Sequence, residues 1–135
     1  MKIKIETLVR ADAQTVWDAW NDPEAIKQWN SASDDWHTTA SEVDLRVGGK
    51  FSSRMEAKDG SMGFDFEGEY TTVEPPSALA YRMSDGREVT VEFEEADGGT
   101  VVRETFDAET ENDPEYQKSG WQSILDNFGR FVESV

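Results

Sequence analysis

The 135-residue chain carries 29 acidic and 13 basic side chains, has a formal net charge of −16 at pH 7, and contains no cysteine. Disulfides and thiolate chemistry are thereby excluded, and so large an acidic excess repels nucleic acid phosphates and anionic lipid headgroups. With 36% hydrophobic and 11% aromatic residues, the chain can form a packed core, and we expect a single domain spanning residues 1–135.

The first thirty residues predict a strand followed by two short helices. The segment KIKIETLV alternates apolar and charged residues, as a strand does and a signal peptide does not. No apolar run approaches the roughly 18 residues of a membrane span, so we expect a cytoplasmic protein without membrane insertion. Asp12 can cap a first helix, and Asp22 followed by Pro23 can begin a second. The apolar stripes of these helices are Val16, Trp17 and Trp20, and Ala25, Ile26 and Trp29.

After a polar loop at 30–35, the pattern changes to alternating runs separated by turn signals. KDGS, SDGR and ADGG each place Asp-Gly between such runs, which is a strong hairpin signal. Gly48-Gly49 indicates a tight turn or bulge, because no helix follows it as a phosphate-binding loop requires. The pattern predicts six antiparallel strands at about 38–47, 50–58, 62–73, 78–84, 87–96 and 99–107.

The last segment predicts one long amphipathic helix. It begins at Asp113-Pro114 and is expected to end near Glu133. One face carries Trp121, Ile124, Leu125, Phe128 and Val132. Such a helix cannot bury this face alone, so we expect it to lie across the sheet.

This order of elements resembles a known superfamily. The segments that carry the resemblance are ADAQTVWDAWNDPEAIKQW, DLRVGGKF, FEGEYTTVEPPSALAYR and GWQSILDNF. They are similar to the helix-grip fold of the START and birch-pollen-allergen superfamily (SRPBCC), and within it to bacterial proteins named for the activator of the Hsp chaperone ATPase (the AHSA group). The resemblance implies an α+β fold in which a curved antiparallel sheet of about seven strands wraps around the long C-terminal helix. Two short helices follow the first strand and close one end of a cavity.

The period of two indicates which strand residues would face that cavity. We expect Trp29 and Trp36 to form its rim, whereas Trp17 and Trp20 pack the first helix against the sheet edge. Any single bulky residue is more often core than ligand contact, so the expectation of a cavity comes from the resemblance. The expected ligand-binding residues are Trp29, Trp36, Met55, Phe66, Tyr81, Met83, Val91, Glu104, Trp121, Leu125 and Phe128.

Glu104 breaks the apolar pattern of the inward face. It falls between Val102 and Phe106, on the side assigned to the interior. A twist or bulge could bring it to solvent, or it could form a structural hydrogen bond. Alternatively it anchors a ligand or acts as an acid or base, with Tyr81 as a second weak catalytic candidate. Tyr81 and Ser53 are the other polar groups expected to point inward.

Metal and nucleophilic chemistry have little support. His37 is the only histidine and is expected in an exposed loop, and no G-x-S-x-G nucleophile elbow is present. Asp34, Asp35 and His37 lie together without a second ligand cluster. We expect no metal site and no cofactor.

Three functions follow from these observations. The first is binding of a small hydrophobic molecule between sheet and long helix. The second, implied by the resemblance, is an enzyme like the polyketide aromatase/cyclases, with Glu104 and Tyr81 as acid/base candidates. The third is interaction with a chaperone partner; it is placed last because the eukaryotic co-chaperone has an additional N-terminal domain that this sequence lacks. Monomer and dimer both remain open.

The charge generates a first prediction. At physiological salt we expect no binding to duplex or single-stranded nucleic acid, because the net charge is −16 and no basic patch is present. Fluorescence anisotropy with labelled DNA and RNA checks this expectation. Salt-sensitive binding to any of these strands would contradict it.

Overall fold

The computed structural model describes residues 1–134, which form one curled antiparallel sheet of seven strands with a long helix in its concave side. Every neighbouring pair in the strand order β1-β7-β6-β5-β4-β3-β2 is antiparallel. The predicted α+β helix-grip architecture is therefore confirmed. The elements are β1 (Lys2–Val9), α1 (Ala13–Asn21), α2 (Pro23–Trp29), β2 (Trp36–Val43), β3 (Lys50–Ala57), β4 (Gly63–Glu74), β5 (Ala78–Met83), β6 (Glu88–Ala96), β7 (Gly99–Asp107) and α3 (Pro114–Ser134).

Aspartate side chains cap the three helices, as the sequence predicts. The carboxylates of Asp12, Asp22 and Asp113 each accept a hydrogen bond from a backbone N–H two or three residues further on, at 2.8, 3.0 and 2.8 Å. These bonds satisfy N–H groups that have no partner inside the helix. Within residues 1–134, none of these helices combines the length and the apolar character that crossing a bilayer demands.

The second strand lies earlier in the chain than predicted. β2 starts at Trp36 and ends at Val43, whereas the sequence pattern suggested 38–47. His37, expected in an exposed loop, is instead half-buried and pairs with Glu56 in the β2–β3 ladder. The expectation for His37 was wrong because Ser33, Asp34 and Asp35, which precede the strand, show no apolar alternation that would mark its start at Trp36.

A compact turn takes the residues that were assigned to the end of this strand. Gly48 has a φ of 84°, a left-handed conformation that glycine adopts easily. A Cβ atom at Gly49 would lie 2.1 Å from the carbonyl oxygen of Asp44, so no larger residue fits there. The predicted tight turn at Gly48-Gly49 is confirmed, and it ends β2 early.

The long helix is packed much more tightly along its second half than along its first. Phe128 and Val132 are buried, and so is Gly129, where an added Cβ would make ordinary van der Waals contact with Val9 at 3.6 Å. In the first half, Trp121 is only half-buried and stacks on Phe106 with ring centroids 3.9 Å apart. The helix is therefore fixed at its C-terminal end and borders open space near its N-terminal end.

This asymmetry predicts different costs for two aromatic truncations. Phe128→Ala should lower the free energy of unfolding by about 3–5 kcal/mol, because its fully buried ring leaves a cavity. Trp121→Ala should cost about half as much, since part of its ring is already exposed. Urea melts of both variants against wild type measure the difference. An equal or larger loss for Trp121→Ala would show that the first half of α3 is packed like the second.

Candidate functional site

A cavity of about 680 Å³ lies between the first half of α3, the helices α1 and α2, and the inner face of the sheet. Its position follows from the packing of α3, which lies mainly against β1, α1 and α2 and meets β4 through the contact of Trp121 with Phe66. Exposed side chains such as Phe64 and Tyr116 border the cavity where it meets solvent. Ten aromatic side chains contribute to its wall: Trp20, Trp29, Trp36, Phe51, Phe64, Phe66, Tyr70, Tyr81, Tyr116 and Trp121.

These rings form two groups on opposite sides of the space. Trp20 and Trp29 pack on each other and on Phe128, with centroid distances of 4.8–5.0 Å. On the sheet, the ring of Phe51 contacts those of Phe66, Tyr70 and Tyr81, at 5.8, 5.4 and 4.7 Å. Edge-to-face and tilted pairs of this kind are favourable beyond the apolar area they bury. Both walls are therefore held in place by their own packing.

A glycine in β4 makes room for the sheet side of the wall. A Cβ atom at Gly68 would lie 2.9 Å from the Phe51 ring and 2.8 Å from the carbonyl oxygen of Arg82. The Phe51 ring therefore packs closely against β4 at Gly68, where a larger residue would displace it. This arrangement keeps the middle of the cavity open.

Glu104 is the buried acidic group of the wall. Its neighbours across the ladder are Ile5 on β1 and Val91 on β6, and both are buried. Its own side chain is 4% exposed, yet it has no hydrogen bond or ion pair among residues 1–134. In the same residues, every side-chain nitrogen or oxygen that is shielded from solvent has a partner. The Glu104 carboxyl group must therefore reach the cavity.

The surroundings of Glu104 favour its neutral form. Burial raises the pKa of this carboxyl group to about 8, because an apolar setting disfavours the charged state. The interpretation that a bulge turns Glu104 to solvent is thus wrong, and so is the one that places it in a structural hydrogen bond. The register from Val89 to Ala96 against β7 continues without a shift, so the strand holds Glu104 inward.

Two tyrosine hydroxyl groups accompany Glu104. The pKa of Tyr81 is raised well above its ordinary value, mainly by burial and then by the negative charges that Glu104 and Tyr70 can carry. Arg87 has a smaller effect in the opposite direction. Burial and Asp44 likewise raise the pKa of Tyr70. Both residues keep their protons at neutral pH and can donate hydrogen bonds into the cavity.

The charged residues of the cavity wall are mostly acidic. Arg87 is the one basic residue of the lining within residues 1–134, and its guanidinium already pairs with Asp85 at 2.8 Å. The five acidic lining residues are Asp65, Glu67, Asp85, Glu104 and Glu109. The cavity therefore has a negative electrostatic potential.

Gln117 fixes the loop that borders the cavity before α3. Its side-chain amide donates to the carbonyl oxygen of Asn112 at 2.8 Å and accepts from the backbone N–H of Glu109 at 2.9 Å. Sequence reasoning missed this residue. A signal was available, since Gln117 lies four residues before Trp121 on the apolar stripe, where a polar residue needs a partner.

The structure divides the expected ligand-binding residues into two sets. Those on the cavity wall are Trp29, Trp36, Met55, Phe66, Tyr81, Met83, Glu104 and Trp121. Val91, Leu125 and Phe128 do not line the cavity: all three have 0% exposure and belong to the core. Val91 lies on β6, which α1 covers, and the other two lie on the tightly packed part of α3.

The tryptophans also differ in part from expectation. Trp17 packs on Phe93 at 5.4 Å, as predicted for a residue that holds α1 on the sheet. Trp20 has the same neighbour at 5.8 Å but also borders the cavity, which the sequence analysis did not assign to it. Within the described part of the chain, no three His, Cys, Asp or Glu side chains gather as a metal site would require.

Comparison with known families identifies the chain. Residues 10–133 match the family described as Activator of Hsp90 ATPase homolog 1-like protein. The chain belongs to this family. No curated protein matched the sequence.

Solved structures of similar proteins share the whole architecture. The AHSA1-like protein from Aeromonas hydrophila is 58% identical, with a TM-score of 0.94 over 99% of this chain and 93% of its own. A protein from Cytophaga hutchinsonii is 43% identical, with a TM-score of 0.86 over 98% of this chain and 92% of its own. A protein from Chromobacterium violaceum, at 23% identity, shows the fold alone, with a TM-score of 0.88 and 98% coverage of both chains.

The raised pKa of Glu104 makes a prediction about stability and pH. Between the ordinary value of 4.5 and about 8, the folded protein holds a proton that the unfolded chain has lost. Raising the pH through this window therefore favours unfolding, by at most about 1.4 kcal/mol per pH unit. Glu104→Gln removes this contribution, so its stability relative to wild type should increase from pH 4.5 to pH 8.

Denaturant melts at several pH values measure this difference. Glu92→Gln serves as the control, because Glu92 is exposed on the outer face and its replacement removes the same kind of carboxyl group. A constant difference between Glu104→Gln and wild type across the window would show that Glu104 ionises as freely in the folded protein as in the unfolded chain.

Proposed function

We propose that this protein binds a small, largely apolar molecule in the cavity between α3 and the curled sheet. The observation that supports this most directly is a space of about 680 Å³ bordered by ten aromatic side chains. Binding sites for small molecules are typically clefts of roughly 300–1,000 Å³ with apolar walls and a few polar groups. The carboxyl group of Glu104 and the hydroxyl groups of Tyr70 and Tyr81 are such polar groups.

The energetics agree with this proposal. Space between side chains forfeits dispersion contacts and destabilises the folded protein. An apolar ligand restores those contacts and removes both its own surface and that of the rings from water, at about 25 cal/mol per Å². Because Phe51 and Trp29 are held by their own neighbours, little side-chain ordering is needed on binding.

A second candidate is a cyclase-like enzyme, favoured by one observation. Glu104 is a buried acid with a pKa of about 8, and residues that perform acid/base catalysis often have shifted pKa values. Glu104 and Tyr81 would guide proton transfer in a reactive carbonyl compound folded within the cavity. Conversion of a bound compound that stops in Glu104→Gln, while binding persists, would favour this candidate over simple binding.

The binding proposal is tested by filling the cavity. Gly120 lies on the wall, and a Cβ atom there would meet no other atom within 4 Å. Gly120→Leu should therefore occupy the space without a clash and weaken binding of Nile red, an uncharged fluorescent dye, by about tenfold or more. Replacing glycine within a helix also costs no stability, because glycine is a weak helix former.

Lys118→Leu is the matched control, since it introduces the same side chain at an exposed position of α3 outside the cavity. It should bind the dye as wild type does. The emission of Nile red and the fluorescence of the cavity tryptophans report binding independently. Wild-type protein that leaves both signals unchanged, or equal binding by Gly120→Leu, would contradict the proposal.

A further inference from the structure

We propose that the molecule held in this cavity is an organic cation, in which an ammonium group is attached to an apolar body and pairs with Glu104. This inference rests on the proposed function and specifies the chemical class of its ligand. It is carried by three features of the cavity: an acid without a partner, a wall with almost no positive charge, and aromatic faces beside that acid.

The first feature is the isolation of Glu104. A carboxyl group that is 96% buried normally has a hydrogen-bond partner or a counter-ion. Within residues 1–134 Glu104 has neither, and its nearest neighbours in the ladder, Ile5 and Val91, offer no polar atom from their side chains. The partner must come from the cavity, and a ligand bearing a positive charge and N–H donors supplies both missing interactions.

The second feature is the sign of the surrounding charge. Besides Glu104, four acidic residues line the described cavity; Arg87 balances Asp85 and Arg54 lies 3.5 Å from Asp65, so Glu67 and Glu109 leave an excess of negative charge. The chain as a whole carries −16. A cleft lined by one sign of charge concentrates ions of the opposite sign. Anionic ligands such as fatty acids are therefore disfavoured at the entrance of the site.

The third feature is the aromatic surface next to the carboxyl group. Phe106 is the next inward residue along β7, and Trp121 stacks on it. Tyr81 lies close enough for the charge of Glu104 to affect its pKa. An ammonium group paired with Glu104 would thus also lie beside aromatic rings, which attract cations through their electron-rich faces.

The inference is tested with three probes that share one apolar body. These are 4-phenylbutylamine, 4-phenylbutanol and 4-phenylbutanoate, which carry a positive charge, no charge and a negative charge. Dissociation constants are measured at pH 7 by titration calorimetry and by tryptophan fluorescence. We expect the amine to bind about tenfold more tightly than the alcohol, and the carboxylate to bind most weakly. An alcohol that binds as tightly as the amine would overturn the inference, because it would make Glu104 a neutral hydrogen-bond donor.

Two substitutions identify the residue responsible. Glu104→Gln should remove the preference for the amine, so that the amine binds no more tightly than the alcohol. Glu92→Gln makes the same chemical replacement on the outer face and should keep the preference. Equal loss in both variants would assign the preference to the general field of the protein and overturn the role of Glu104.

Proton release provides a readout that needs no variant. Glu104 is mostly protonated at pH 7, so pairing it with an ammonium group should release close to one proton per amine bound. The neighbouring hydroxyl group of Tyr81 keeps its proton at this pH, because burial raises its pKa well above the ordinary value. Calorimetry in two buffers of different ionisation enthalpy measures the release. Amine binding without proton release would contradict the pairing.

The two proposals fail in different ways. If the amine, the alcohol and Nile red all fail to bind, the proposed function itself is wrong. If Nile red and the alcohol bind but the amine has no advantage, only the inference about ligand charge is wrong.

Discussion

The mutual packing of Trp20, Trp29 and Phe128 is the constraint on which the rest of the structure depends. These three rings join α1, α2 and α3 at one point, with centroids 4.8–5.0 Å apart. Near this point Gly129 of α3 is buried beside Val9 of β1. Because the helix is fixed there and the sheet curls away from its other half, the space beyond the three rings is not filled by side chains. The same contact therefore stabilises the fold and forms one wall of the cavity.

The distribution of charge follows from the same geometry. Strands alternate their side chains, so one face of the sheet carries acidic residues into water while the other carries the core. Arg103 lies between Glu6 and Glu94 on the outer face and relieves part of their repulsion. Glu104 is the acid that falls on the inner side of this alternation. Its carboxyl group borders the cavity, and burial favours its neutral form.

Local signals in the sequence were sufficient for the order of elements. Capping carboxylates at Asp12, Asp22 and Asp113 act within a few residues, as do the Asp-Gly turns, so they can be read without a structure. The inward position of Glu104 also followed from period two, because β7 has no bulge in its pairing with β6. The start of β2 was missed because residues 30–35 carry no apolar alternation.

The limits of the cavity could not be read from the sequence in the same way. Periodicity tells which side of a strand or helix a residue faces, but not how far away the next layer lies. Val91, Leu125 and Phe128 therefore looked equivalent to Tyr81 and Trp121, although the first three meet packed neighbours. Trp20 was missed for the converse reason, since it packs on Phe93, Trp29 and Phe128 and yet also borders the space. Tertiary distances decide such cases.

The position of β1 in the sheet has a consequence for how the chain folds. Strands β2 to β7 each pair with their neighbours in sequence, and such hairpins close short loops at small entropic cost. β1 pairs with β7 instead, joining residues such as Lys2 and Asp107 across most of the chain. Contacts of this separation form slowly. During synthesis, β1 cannot pair with β7 until β7 has left the ribosome. The helix α3, which packs on β1, follows β7 in the chain and is synthesised later still. We therefore expect the hairpins of β2 to β7 to form before β1 and α3 pack on them. The cavity, which α3 borders, would form late in folding.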